Sequence, residues 1–132
     1  MKYKEITICG KQVTLGYCYA TEISFKILTD IDIHDFFTEA SKCLNEQPAR
    51  MPDTRNTIYL IIAAMQAYCQ SKDEDVLPVT DKQLMFEATV DDISTALFTI
   101  ISLRMDFYHL PAGEEHKEKD DEKKGKGRKK NS

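Results

Sequence analysis

The chain has 132 residues, which fits one domain, and 42% of them are hydrophobic, enough to supply a buried core. The net charge of −4 is unevenly spread: residues 1–113 carry 10 basic and 16 acidic residues, whereas residues 114–132 carry eight basic and six acidic ones. A body with a net charge of −6 is unsuited to wrapping nucleic acid, so we expect no specific nucleic-acid binding by the folded part.

The first element is predicted to be a β-hairpin over residues 3–17. Gly10-Lys11 fits a two-residue turn of type II′, which has glycine in its first position. With that turn, Ile8 faces Val13, and the apolar side chains of both strands share one face of the hairpin. A lone hairpin leaves two strand edges open, and we expect these edges to support self-association into a homo-oligomer.

Five helices are predicted after the hairpin, over residues 21–28, 32–45, 54–71, 81–88 and 91–109. Each start is marked by a side chain that suits a helix N-cap: Thr21, Asp30 or Asp32, Asp53, Thr80 and Thr89. The third helix is apolar nearly all round from Thr57 to Cys69, which indicates a central core helix. It is too short to span a bilayer, for which about 20 apolar residues are needed. The predicted fold class is α+β, mostly α, with a single globular domain over residues 1–113.

The end of the chain is predicted to be a disordered charged tail over residues 114–132, because it contains no apolar residue. The last part of the tail is a cluster of basic residues: Lys123, Lys124, Lys126, Arg128, Lys129 and Lys130. Two interpretations are open, a solubilising tail or an electrostatic contact with nucleic acid or an acidic partner. The preceding acidic block can neutralise the cluster within the same chain, which favours the first interpretation.

The cysteines are expected to be reduced and structural. They show neither a CxxC pair nor the spacing of a zinc site: Cys9, Cys18, Cys43 and Cys69. The first five residues lack the apolar core of a signal peptide. A cytoplasmic location follows as the expectation, since thiols stay reduced there.

No motif indicates an enzyme, a cofactor or a metal. One acidic cluster superficially resembles the start of a calcium loop: Asp30, Asp32, His34 and Asp35. The glycine of the sharp turn and the terminal glutamate of such a loop are both missing, so helix capping explains the cluster better. The three histidines are scattered, without the spacing of a metal or catalytic pair. We therefore expect a non-enzymatic protein.

Two apolar features are candidates for a surface that binds a client or a second copy. One is the amphipathic stripe of the predicted helix Ile33–Leu44, and the other is the aromatic end of the last helix. The candidate residues are Ile33, Phe36, Phe37, Tyr108 and Leu110. The alternative is that these side chains simply close the core.

The order of elements resembles the small tail assembly chaperones of long-tailed bacteriophages and prophages. The matching features are the hairpin with its Gly10-Lys11 turn, the string of short helices, Asp91-Asp92 opening the last helix, its Phe107–Pro111 ending and the charged extension. The resemblance implies a protein that coats the largely helical tape measure protein before tail-tube subunits polymerise around it. It also implies a site without catalytic residues, in the cytoplasm of a bacterial host.

A second hypothesis comes from the basic end of the tail, which would suit a small DNA-associated regulator or packaging accessory. The two hypotheses differ in what they predict outside the chain. A gene for a very long helical protein immediately downstream favours the chaperone, whereas salt-sensitive binding to DNA favours the regulator.

Overall fold

The computed structural model describes residues 1–110 and the backbone of two short segments near the end of the chain. Residues 1–110 form a hairpin and five helices: β1 (Lys2–Ile8), β2 (Lys11–Tyr17), α1 (Tyr19–Thr29), α2 (Ile33–Leu44), α3 (Thr54–Ser71), α4 (Asp81–Phe86) and α5 (Val90–Tyr108). Of residues 1–110, 60% are helical and 13% lie in strands, so the predicted α+β, mostly α fold class is confirmed. The predicted disordered tail lies outside the described residues, apart from β3 (Gly127–Arg128) and β4 (Lys130–Asn131), which pair in parallel.

The hairpin turns at Cys9-Gly10, so the predicted turn at Gly10-Lys11 is wrong. Ile8 pairs with Lys11 instead of Val13, a shift of the register by two residues. Both turn residues have positive φ, 53° at Cys9 and 75° at Gly10, which is the signature of a type I′ turn. A shift of two residues keeps each side chain on its face. The predicted apolar face is therefore right, and Ile8 and Val13 are fully buried.

Helix α1 begins at Tyr19, two residues before the predicted start, and its N-cap is Cys18 rather than Thr21. Thr21 lies in the first turn and is buried. Its hydroxyl accepts from the Cys18 backbone N–H (3.2 Å) and donates to the Gly16 carbonyl (2.8 Å). The side chain that reads as a cap in the sequence thus joins α1 to the end of β2.

The remaining helix starts follow the predicted caps. Asp32 accepts from the His34 backbone N–H at 2.8 Å and caps α2, whereas Asp30 lies in the left-handed conformation that ends α1. The other three N-caps are Asp53, Thr80 and Thr89. Each of these side chains accepts a backbone N–H of the first turn, which satisfies donors that have no partner within the helix.

Helix α3 is the centre of the fold, and the prediction of a central core helix is confirmed. Ten of its 18 residues are buried, and it packs against α1, β2, α4 and α5. Ile61 and Ala64 are fully buried there, together with Leu97 and Ile100 of α5.

Helix α2, unlike α3, comes close to few other elements through its backbone, and mainly to α1. Aromatic side chains hold it in place. The ring of Phe36 lies 5.4 Å from that of Phe25, and the ring of Phe37 lies 6.4 Å from that of Tyr17. Space remains between α2 and α5.

Candidate functional site: a groove between α2 and α5

A groove of about 810 Å³ runs between α2 and α5. Each helix turns one side towards it. The wall on α2 consists of Phe37, Thr38, Ser41, Lys42, Leu44 and Asn45, and the wall on α5 consists of Phe98, Ile101, Ser102, Arg104, Met105 and Asp106. Ala49 and Leu110 complete the lining. This volume lies within the range of about 300–1,000 Å³ that is usual for ligand sites.

The lining of the groove is apolar at helical spacing. Phe98, Ile101 and Met105 follow one another at i, i+3 and i+7 along α5. Phe98 is 52% exposed and Leu110 is 38% exposed, so nothing within residues 1–110 covers this face. An apolar helix face that remains uncovered in a concave setting is typical of a surface that receives a partner.

Arg104 is the charged side chain that connects the two walls. Its Cζ lies 4.7 Å from the centroid of the Phe37 ring, a cation–π contact across the groove. Its Nη2 lies 3.3 Å from Nδ1 of His34. Within residues 1–110, its Nε is buried without a hydrogen-bond acceptor, and no carboxylate lies within 4.0 Å of the guanidinium.

A polar cluster centred on Glu22 lies beside this arginine. The Glu22 carboxylate accepts hydrogen bonds from the hydroxyls of Tyr17 (2.7 Å) and Tyr108. Nε2 of His34 lies 3.7 Å from the same carboxylate. Since these residues come from β2, α1, α2 and α5, the cluster fixes the positions of the two helices that border the groove.

Both tyrosines of the cluster are held neutral. Burial, and then the hydrogen bond to Glu22, raises the pKa of Tyr17 well above its ordinary value. The same two causes raise the pKa of Tyr108 to about 12. A phenol with a raised pKa is a poor general base at neutral pH, and its hydroxyl stays a donor to Glu22. The cluster therefore reads as a structural clamp.

The predicted client surface is split by the structure. Ile33 and Phe36 are only 3% and 4% exposed and belong to the core, with the ring of Phe36 against that of Phe25 on α1. Phe37 is buried but lines the groove, and Leu110 lies on its rim. Tyr108 is engaged by Glu22. The basic cluster of the tail lies outside the described residues as far as its side chains are concerned.

The sequence reasoning missed the second apolar face of α5. The apolar spacing of this helix predicts a buried face made of Ile93, Ala96, Leu97, Ile100, Ile101 and Phe107. Ala96, Leu97 and Ile100 are fully buried, whereas Ile93, Ile101 and Phe107 are only partly buried against the core. Phe98, which was not predicted, directly follows Leu97 and is 52% exposed in the groove, and Ile101 contacts both the core and the groove. The signal was in the sequence as an apolar arc too wide for one interface.

Two further apolar patches are exposed outside the groove. Tyr19, Ile23 and Ile27 follow one another at i, i+4 and i+8 on α1, and Phe86 and Val90 lie at the junction of α4 and α5. None of these residues lines the groove. They provide matched positions for control variants.

Metal and thiol chemistry find no support in residues 1–110. No group of three or more His, Cys, Asp or Glu side chains in this part is arranged to hold a metal ion. Cys43 and Cys69 are buried, and burial raises the pKa of both thiols, which makes them weak nucleophiles. Among the described helices, none has the length and apolar character needed to cross a membrane.

No family model, curated protein or solved structure matches this chain significantly. The site is therefore defined by its own geometry: a partly apolar groove between two helices, open within residues 1–110, with Arg104 on its wall and the Glu22 cluster at its side.

Proposed function

We propose that this protein is a tail assembly chaperone of a long-tailed phage or prophage, and that it binds the helical tape measure protein in the groove between α2 and α5. The observation that carries the proposal is the groove itself, with two helical walls and apolar side chains at i, i+3 and i+7 on α5. An amphipathic helix docks its apolar face into a groove of this kind through anchors at the same spacing.

The order of elements supports the choice of client, since it resembles that of tail assembly chaperones. The charge of the folded part supports a protein client over DNA. Residues 1–110 carry 10 basic and 16 acidic residues, and phosphate contacts require the opposite balance. The proposed setting is the cytoplasm of the bacterial host.

Coating a long client also requires neighbouring copies. In residues 1–110 the sheet has two strands, so β1 and β2 each have one edge without a strand partner. Such edges can pair with another chain. We propose that copies bound along one tape measure protein contact each other there, and that tail-tube subunits displace them when they polymerise.

The test is co-expression of the full chain with the candidate tape measure protein. We expect a soluble complex with many copies of the chain per client. Phe98→Asp places a charge in the groove and should reduce complex formation at least about tenfold, the equivalent of 1.4 kcal/mol. Phe86→Asp is the matched control, because Phe86 is 80% exposed and lies outside the groove; its complex should form normally.

Three results contradict the proposal. The first is equal complex formation by the Phe98→Asp and Phe86→Asp chains, and the second is no complex with the wild type. The third is tight, sequence-selective binding of duplex DNA at physiological salt, which would favour the regulator. The weak DNA binding expected of the basic tail should instead be lost between low and physiological salt.

A further inference from the structure

Arg104 lies where a charged side chain can contact a molecule bound in the groove. It lies on the wall of the groove, where its guanidinium is stacked on the Phe37 ring. The acidic residues of the folded part outnumber the basic ones, yet no carboxylate in residues 1–110 lies within 4.0 Å of this guanidinium. Glu22 is bound instead by the hydroxyls of Tyr17 and Tyr108.

The charge of the groove is opposite to that of the body. Its lining contains Lys42 and Arg104 against Asp106, a net charge of +1, whereas residues 1–110 as a whole carry −6. The groove is therefore locally positive on an acidic protein. An occupant with a negative side chain at this place gains complementarity that the rest of the surface does not offer.

We infer that Arg104 holds a carboxylate presented by the client helix, so that the groove selects helices with an acidic residue beside their apolar stripe. The inference rests on the proposed function and adds a rule of client recognition to it. The apolar wall provides the contact area, and Arg104 fixes the position of the helix along the groove.

The geometry of the guanidinium suits this role. One face is occupied by Phe37, and Nη2 is directed to Nδ1 of His34. Because Nε is buried, contacts to a further ligand are left to Nη1 and the second N–H of Nη2. These two terminal nitrogens can bind a carboxylate end-on through two parallel N–H···O bonds. A docked helix excludes water from the groove, which strengthens such a bond relative to a solvent-exposed pair. Because Phe37 and His34 already restrict the arginine, little side-chain entropy remains to be lost.

The experiment is a display selection with the full-length chain. The library consists of amphipathic helical peptides of about 20 residues, or about 30 Å, with a fixed leucine stripe and random residues beside it. Peptides that also bind the Phe98→Asp chain are discarded, so that the survivors use the groove. We expect aspartate or glutamate to be enriched at one position beside the stripe.

Variants of the chain and single selected peptides identify which groove residue binds the acidic residue of the peptide. On the Arg104→Gln chain the acidic preference should disappear while the leucine stripe is still selected. Lys42→Gln is the matched control, an exposed groove cation whose loss should leave the preference in place. On the wild-type chain, which needs no variant, changing the acidic residue of one selected peptide to its amide should weaken binding about tenfold.

The contradicting results separate the inference from the function. Groove-dependent peptides without an acidic preference overturn the inference and leave the function standing, as does a preference that survives Arg104→Gln. Failure to recover any groove-dependent peptide overturns the function and the inference together. The acidic preference could instead be seen only in a chain in which Glu114 and Glu115 are changed to glutamine. That result would mean that Arg104 binds the chain's own acidic segment, and it overturns the inference.

Discussion

Gly10 occupies a backbone conformation that L-residues rarely adopt. Its φ is +75°, and a Cβ added there would meet no atom within 4 Å. Gly10→Ala should therefore destabilise the fold through backbone strain alone, by about 1–2 kcal/mol. Urea unfolding measures this. Gly10→Asn is the control, since asparagine tolerates the left-handed region and should cost clearly less. Equal stability of the alanine variant and the wild type would contradict the type I′ turn at Cys9-Gly10.

Tyr108 should make the stability of the protein fall at alkaline pH. Its pKa in the folded protein is raised to about 12, above the value of about 10 of an unfolded chain. The stabilising contribution of the neutral hydroxyl is complete below pH 10 and is lost as the pH rises towards 12. The free energy of unfolding in urea, measured between pH 9 and 12, should show this loss. Tyr108→Phe should make the free energy of unfolding fall less steeply with pH. Some fall should remain, because the pKa of Tyr17 is raised as well.

The control for the alkaline series is Tyr3→Phe, at an exposed position of β1. It removes a phenol without touching Glu22. Identical pH profiles for the Tyr108→Phe chain and the wild type would contradict the clamp.

Among the elements, α3 carries the stability of the fold. Ile61→Ala removes a fully buried side chain from its centre and should cost about 2–5 kcal/mol, since the neighbours cannot collapse onto the cavity. The free energy of unfolding in urea gives the value. Ile23→Ala makes the same change at a position of α1 that is 61% exposed, and it should stay within about 0.5 kcal/mol of the wild type. A cost for Ile61→Ala as small as that of Ile23→Ala would refute the central role of α3.

The helices also show what could be predicted from the sequence. α3 was identified as central because it is apolar on all sides, and only burial by several neighbours accommodates that pattern. The stripe of α2 could have faced either the core or a partner, and the order of residues does not decide between the two. The hairpin register failed for another reason: Cys9 is not a residue that marks a left-handed turn position in a sequence, so Gly10 was assigned to the wrong place in the turn.

The groove could not be predicted, because it depends on the distance between α2 and α5. Its lining residues lie far apart in the sequence, with Phe37 on one wall and Phe98 on the other. Tertiary contacts set the distance between α2 and α5, and such tertiary spacing leaves no local pattern in the sequence. The same is true of the approach of Glu22 to Tyr108, which are 86 positions apart.

For the whole molecule, the sequence predicts that residues 1–113 suffice for the fold. From Glu114 onward there is no apolar residue, so removing that segment takes no apolar side chain from the core. A chain ending at Gly113 should therefore keep a thermal midpoint close to that of the full chain, as measured by calorimetry. A drop of many degrees would mean that the charged tail docks on the body.

The central claim is that a helical client lies between α2 and α5, and the methionine methyl groups report on it directly. Met105 lines the groove, Met85 is 52% exposed outside it, and Met65 is buried in the core. The measurement is a methyl NMR spectrum of the full chain, labelled at methionine, with and without a helical fragment of the tape measure protein. We predict that the Met105 signal shifts while those of Met85 and Met65 stay in place. A shift of Met85 with an unchanged Met105 would place the client elsewhere and contradict the account.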